Sequence, residues 1–96
     1  MPKAYWVTCY SQIIDPEKLA AYAKLAAPAI QAGGGRFLVR GQPLQAHEGG
    51  RMERTVVVEF ETAQQAIATY DSPGYQAALA ALEGGVVRDL RIVSGV

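Results

Sequence analysis

Residues 52–61, Met-Glu-Arg-Thr-Val-Val-Val-Glu-Phe-Glu, decide the fold. Three consecutive valines are β-branched and stiff at χ1, which favours a strand. Side chains alternate along a strand, so Val56 and Val58 share one side and Val57 and Glu59 the other. The centre of this strand is therefore apolar on both faces, as in a strand covered from two sides. Upstream, Glu48-Gly49-Gly50-Arg51 is a turn signal separating it from a second strand over 36–42, whose onward pairing Pro43 limits. Gly33-Gly34-Gly35 ends a helix, since glycine enters left-handed conformations cheaply. That helix opens at Asp15-Pro16, an N-cap followed by proline at the first helical position. Its apolar stripe is Leu19, Tyr22, Ala23, Ala26 and Ile30. Pro28 removes one backbone hydrogen bond, so a kink or break is expected near 24–27. The aromatic stretch over 4–12 predicts a first strand covered on both faces.

Downstream, Thr62 and Gln65 have capping-box spacing, with Ala63, Ala66, Ile67 and Tyr70 as the next helical stripe. Ser72-Pro73 repeats the Asp15-Pro16 start, with Tyr75, Ala78, Leu79 and Leu82 following and Gly84-Gly85 as the stop. A last strand covers 86–94, with Leu90 and Ile92 on one face and Asp89, Arg91 and Val93 on the other. The order is β-α-β-β-α-β with the second helix split. That is the ferredoxin-like α+β arrangement, an antiparallel four-stranded sheet with helices on one face. One domain over 1–96 accounts for the whole chain.

Nine Lys+Arg balance nine Asp+Glu, so no net charge draws the chain to nucleic acid or an anionic membrane. A single cysteine makes neither an internal disulfide nor a thiolate metal site, which suits a cytoplasmic compartment. The opening MPKAYWVTCYSQ lacks the apolar core of a signal peptide, and no apolar run approaches a membrane span.

Helices on one face leave the other sheet face to solvent, and a solvated face reads as polar at every second position. Val56-Val57-Val58, Leu38 between Phe37 and Val39, and Trp6 between Tyr5 and Val7 do not. A second copy packed face to face, with two-fold symmetry, covers such a surface, so a homodimer through the sheet face is expected. The alternative cover is the loop from Pro43 to Arg51.

GGRFLVRG at 34–41, ERTVVVEF at 53–60, YDSPGYQAAL at 70–79 and DLRIVSGV at 89–96 carry a resemblance. They resemble a bacterial domain-of-unknown-function family, number thirteen-thirty, among the dimeric α+β barrel proteins. The likeness spans essentially the whole chain and implies a ferredoxin-like protomer and a dimer whose two sheets form a barrel. It implies no particular reaction. Proteins of the wider fold set include cofactor-free monooxygenases, muconolactone-type isomerases, dehydratases and haem-handling enzymes, which commonly use a cavity between sheet and helices. That is fold-level analogy.

Arg36, Arg40 and Arg54 stand at strand positions that tolerate apolar groups, and parity places Arg36 and Arg40 on one face. They match the recurring arginines of the family blocks. A half-buried guanidinium grips a carboxylate in two-pronged fashion; the plainer role is an ion pair with Glu59, Glu61 or Asp89. Glu59 is a candidate general base if dry, and an inert partner if paired with arginine. Tyr70, Ser72 and Tyr75 flank the junction of the two short helices, where they can position a ligand or move a proton. Ser72 also serves as an N-cap, and both tyrosines fall on apolar stripes. Arg54, Glu59 and Tyr70 are thus the catalytic candidates; Arg36, Arg40, Ser72, Tyr75 and Trp6 are the substrate-binding ones. Tyr5, Trp6 and Tyr10 offer aromatic walls. His47 reads as a solvated turn residue and Cys9 as a buried small hydrophobe, so no metal or other cofactor is expected. These features fit a cofactor-free, monooxygenase- or isomerase-like enzyme for a small aromatic or acidic metabolite. A non-catalytic dimeric small-molecule-binding or scaffold protein is the alternative.

Overall fold

The computed structural model describes residues 2–96. The element order is β1 (Ala4–Ile13), α1 (Pro16–Ala32), β2 (Arg36–Gly41), β3 (Thr55–Phe60), α2 (Ala63–Tyr70), α3 (Pro73–Leu82) and β4 (Val86–Ser94). The strands form one antiparallel sheet in the order β2-β3-β1-β4, so each helical connection crosses over one intervening strand. This is the ferredoxin-like arrangement, with the second helix split in two.

The start signals behave as their chemistry requires. Asp15 accepts from the backbone N–H groups of Glu17 and Lys18, with Pro16 opening the helix. Thr62 accepts from the N–H of Gln65, and Ser72 from that of Tyr75. Pro28 does not break α1, which runs from Pro16 to Ala32. Pro28 is exposed, so the carbonyl it leaves without a helical partner faces water and the helix continues. In the turn after α1, Gly34 takes φ +92, a value that L side chains rarely adopt. A Cβ at Gly35 would sit 2.9 Å from both Phe60 and Val58, so only glycine lets the turn close on the core.

The core lies between the sheet and the helices. Trp6, Tyr75, Phe60 and Val58 are its largest fully buried side chains, each contributing roughly 1.5–3 kcal/mol of burial. The Trp6 ring lies 4.8 Å from that of Tyr75 and 5.2 Å from that of Phe60. Its Nε1 donates to the carbonyl of Ala66 at 3.0 Å, tying β1 to α2. Ile67, expected in the stripe of α2, is exposed, and the buried positions there are Ala66 and Thr69.

Alternation sorts the two sheet faces. Ala4, Trp6, Thr8 and Tyr10 of β1 point to the helices and are buried, while Tyr5, Val7 and Cys9 face away. The expectation that both faces of β1 are covered therefore fails within one chain. Cys9 is exposed, not a buried hydrophobe, because it belongs to the open face. Register shifts interrupt the alternation at two places, after Tyr10 where β1 pairs with β4 and within β2. In β2, Phe37 pairs with Val58 and Val39 with Val57, so Leu38 is an extra residue in a bulge. Arg36, opposite Glu59, then lies on the open face, and Arg40, opposite Val56, on the helix-covered face. The parity that put both arginines together is overturned by that single inserted residue.

Candidate functional site

The helix-covered face of β1, β3 and β4 brings together residues that alternation buries. Tyr10 follows Trp6 and Thr8 on β1, and Arg88 precedes Leu90 and Ile92 on β4. Tyr22 is the buried residue of α1 opposite them, and Tyr75 the first buried residue of α3. The four polar groups converge. Arg88 Nη1 donates to Tyr10 Oη at 3.0 Å and to Tyr22 Oη at 3.3 Å, and its Nη2 donates to Tyr75 Oη at 3.1 Å. The hydroxyls of Tyr22 and Tyr75 share a 2.6 Å hydrogen bond. The guanidinium carbon also lies 4.9 Å from the centre of the Tyr22 ring and 5.5 Å from that of Tyr10, within cation–π range.

Burial disfavours the charge of Arg88, but the phenol oxygens of Tyr22, Tyr75 and Tyr10 more than offset it and hold the guanidinium firmly protonated. Burial pushes the Tyr75 phenol above its ordinary value and Tyr22 adds to that, against the opposing charge of Arg88. Tyr75 is thus a neutral hydrogen-bonding group that keeps its proton throughout the physiological range.

Beside this cluster is a cavity of about 40 Å³ between α1 and the sheet, walled by Trp6, Tyr10, Tyr22, Ile30, Phe37 and Val58. Its polar rim is Arg40, Arg54, Arg88 and the Thr8 hydroxyl. Arg40 stacks over the Phe37 ring at 4.3 Å. Arg54 Nε is buried with no hydrogen-bond partner. Among the described residues, Arg40, Arg54 and Arg88 form no ion pair with a carboxylate. Three arginines without counter-ions at one aromatic-walled cavity are equipped to receive an anion.

The other candidates fall elsewhere. Glu59 sits on the open face, where Arg36 Nη2 approaches it at 2.7 Å, Lys3 Nζ at 3.5 Å and the Tyr5 hydroxyl at 3.2 Å. Partial desolvation by itself raises the Glu59 carboxyl; the Tyr5 hydrogen bond and the charges of Lys3 and Arg36 outweigh it and hold it below the usual carboxylate range. Glu59 is therefore an ionised partner of Arg36, remote from the cavity. Ser72 caps α3 and donates to the Thr69 carbonyl at 2.7 Å, which occupies it structurally. Tyr70 lies against Trp6 and Tyr75 with ring centres 6.0 and 5.3 Å away and does not line the cavity. Tyr75 and Trp6 reach the site, one through Arg88 and one as wall. His47 is exposed in a turn that the Gly50 N–H closes on its carbonyl at 2.9 Å.

Arg88, Tyr10 and Tyr22 carry the site, and the sequence candidates did not include Arg88 or Tyr22. The signal was present: Arg88 shares parity with Leu90 and Ile92, so a charged residue stands at a core position of β4.

On the opposite side, the connection over 42–54 stands over one end of the open face. Pro43, Ala46 and His47 look across a recess of about 460 Å³ at Cys9, Thr55 and Asp89. It leaves Val39, Val87 and Val93 about half exposed on the rest of that face (48, 49 and 48%).

The family described as Domain of unknown function (DUF1330) matches residues 3–96, so the chain belongs to that family. Among curated proteins none matches. Solved structures share the fold. A protein of unknown function from Rhodopseudomonas palustris is similar at TM-score 0.78 and 15% identity, over 99% of this chain and 83% of that one. A dimeric ferredoxin-like protein of unknown function from Thermobifida fusca is similar at TM-score 0.69 and 16% identity, over 98% and 92%. SnoaB, a cofactor-independent oxygenase from Streptomyces nogalater, is similar at TM-score 0.67 and 11% identity, over 100% and 95%.

Proposed function

For this member of the DUF1330 family, we propose a homodimer that holds a small aromatic or acidic metabolite in the cavity between α1 and the sheet. The observation that carries the reading is the company of Arg40, Arg54 and Arg88 on one aromatic-walled cavity with no carboxylate beside them. Arg54 and Arg88 are partly withdrawn from water, where a charge without a counter-ion is costly, while Arg40 is exposed; an anionic ligand supplies the missing partner. Aromatic walls suit a flat molecule, with arginine at its acidic end.

Catalysis follows the cofactor-free pattern, monooxygenase- or isomerase-like, in which the bound molecule itself supplies the electrons or the acidic C–H. The similarity of fold to a protein described as a cofactor-independent oxygenase supports this choice and assigns no residue. Glu59, paired on the far face, is no longer a candidate base; the titratable groups at the cavity are the phenols of Tyr10 and Tyr22.

Dimerisation rests on Val7, Val39, Val57 and Val93, apolar positions on a sheet face that no helix of the same chain covers. The dimeric description of the Thermobifida fusca protein, of the same fold, points the same way.

The small size of the cavity favours a second reading. About 40 Å³ is room for a few waters, far below the ~300 Å³ of ordinary metabolite sites. A dimeric scaffold with a filled interior has this property too. Native mass spectrometry of freshly purified protein, followed by denaturing release, separates the two. A dimer with releasable small-molecule mass is the expected result. A ligand-free dimer that no aromatic or acidic compound stabilises thermally leaves the scaffold, and a monomer at micromolar concentration overturns the sheet-to-sheet pairing.

A further inference from the structure

The hydroxyls around Arg88 share a fixed number of hydrogens, and counting them assigns a direction to each bond. A phenol has one hydrogen to give and oxygen lone pairs to accept with, whereas a guanidinium only donates. Arg88 therefore gives to Tyr10, Tyr22 and Tyr75 alike. Tyr75 is fully buried, and the Tyr22 oxygen 2.6 Å away is the acceptor its own hydrogen reaches. Leaving that hydrogen unbonded in the core costs roughly 1–3 kcal/mol, so Tyr75 donates to Tyr22. Tyr22 then accepts from Tyr75 and from Arg88, which occupies both of its lone pairs. Its hydrogen is the one left over, and Tyr22 lines the cavity.

Most other polar groups there have the same sense. Tyr10 accepts from Arg88 and keeps a hydrogen of its own to give. Arg54 belongs to the same lining and its guanidinium only donates, while its Nε is buried without a partner. Arg40 contributes donors only. No carboxylate, imidazole or amide side chain lines the cavity to answer them. The Thr8 hydroxyl can turn to donate as well as accept, so hydrogens outnumber acceptors at the cavity, the complement of a carboxylate, whose two oxygens accept and never donate when ionised.

We infer that the cavity is a carboxylate site, in which the Tyr22 hydroxyl donates directly to the ligand, the Tyr10 hydroxyl and the Arg54 guanidinium are further donors, and Arg88 is the fixed positive charge behind them. The inference rests on the small-molecule reading above and adds to it the ligand's chemical class and a named donor. The geometry also sets Tyr75 apart: it fixes which way the Tyr22 hydrogen turns and touches no ligand. An acid of one or two carbons suits a space of about 40 Å³.

The test is a titration of the full chain with carbon-13 acetate followed by NMR, with acetamide as the neutral isostere that carries donors of its own. Acetate is expected to bind saturably and acetamide not to bind measurably. Tyr22→Phe, which keeps every charge, is expected to weaken acetate by ~10-fold or more, the worth of a hydrogen bond to a charged group. Tyr75→Phe removes a neighbouring hydroxyl of the same kind and is expected to stay within ~3-fold of wild type, since the Tyr22 hydrogen remains free to turn inward. Thermal melts of both variants establish that each is folded. Acetamide binding as well as acetate, or equal losses in the two variants, overturns the assignment. If acetate fails while a neutral aromatic such as phenol binds, the carboxylate inference falls and the small-molecule reading stands. If neither binds, both fall.

Discussion

The two faces of the sheet treat charge in opposite ways. On the open face, Glu59 answers Arg36 and Lys3, and Asp89 answers Arg91 at 3.3 Å. On the covered face, Arg88 has only phenols for company, and Arg54 Nε has nothing. Solvent explains the first arrangement, because exposed ions need little help and find partners cheaply. It does not explain the second, since a guanidinium turned toward the core is retained against a desolvation penalty. The difference teaches where to look: the face with balanced charges is the one proposed to meet a second copy, and the face with unbalanced charges the one proposed to meet a ligand.

The largest effect expected is at the centre of the covered face. Arg88→Ala removes donors to three hydroxyls and a cation–π contact to two rings, and is expected to destabilise the fold by about 3 kcal/mol in denaturant unfolding. A loss below about 1 kcal/mol would mean that the phenols satisfy one another and that the guanidinium serves the ligand alone.

Next comes the open face. Val57 pairs across to Val7 on one side and Val39 on the other, in the middle of the apolar row. If the sheet faces pair as proposed, Val57→Asp puts an unpaired charge under the partner sheet and is expected to weaken dimerisation by ~30-fold or more in sedimentation equilibrium. A dimer of unchanged strength would locate the interface elsewhere.

Arg54→Ala contrasts with Arg88→Ala. Its Nε has no hydrogen bond to lose, and the backbone bond from Tyr10 N to Arg54 O, 3.0 Å, survives the substitution. Stability is expected to change by less than about 1 kcal/mol, while binding of the small molecule drops by more. A fall in the unfolding midpoint with binding intact would make Arg54 a structural residue.

The contrast between the faces was half legible in the sequence. Asp15-Pro16 and Ser72-Pro73 announce two helices because capping is local chemistry, and the valine run announces the central strand because alternation is local geometry. Arg40 was misplaced because a bulge depends on how β2 registers on β3, a non-local choice that no spacing within β2 encodes. Cys9 reads as buried from the apolar pattern on both sides of β1, whereas alternation places it on the face that no helix of this chain covers, where it is exposed. Arg88 was readable by parity with Leu90 and Ile92. What no pattern shows is that Tyr10, Tyr22 and Tyr75, from three different elements, meet it.

The smallest effect belongs to Glu59, and its sign is fixed by the direction of its shift. The carboxyl is held below its ordinary value in the folded chain, so ionised Glu59 stabilises the fold above the unfolded value, ~4.3. That contribution fades as pH falls through the folded value, where both states are protonated. Thermal melts of wild type and Glu59→Gln are therefore expected to differ near neutral pH and to converge in acid. Added salt should shrink the difference if Lys3, Arg36 and Glu59 face water, since exposed charges are screened over ~10 Å at 0.1 M salt. If the sheet faces pair, Glu59 is shielded in the dimer, and the difference should grow with protein concentration and resist salt. Convergence in acid with no dependence on concentration would leave the charge pairing intact and take the partner away from that end of the sheet.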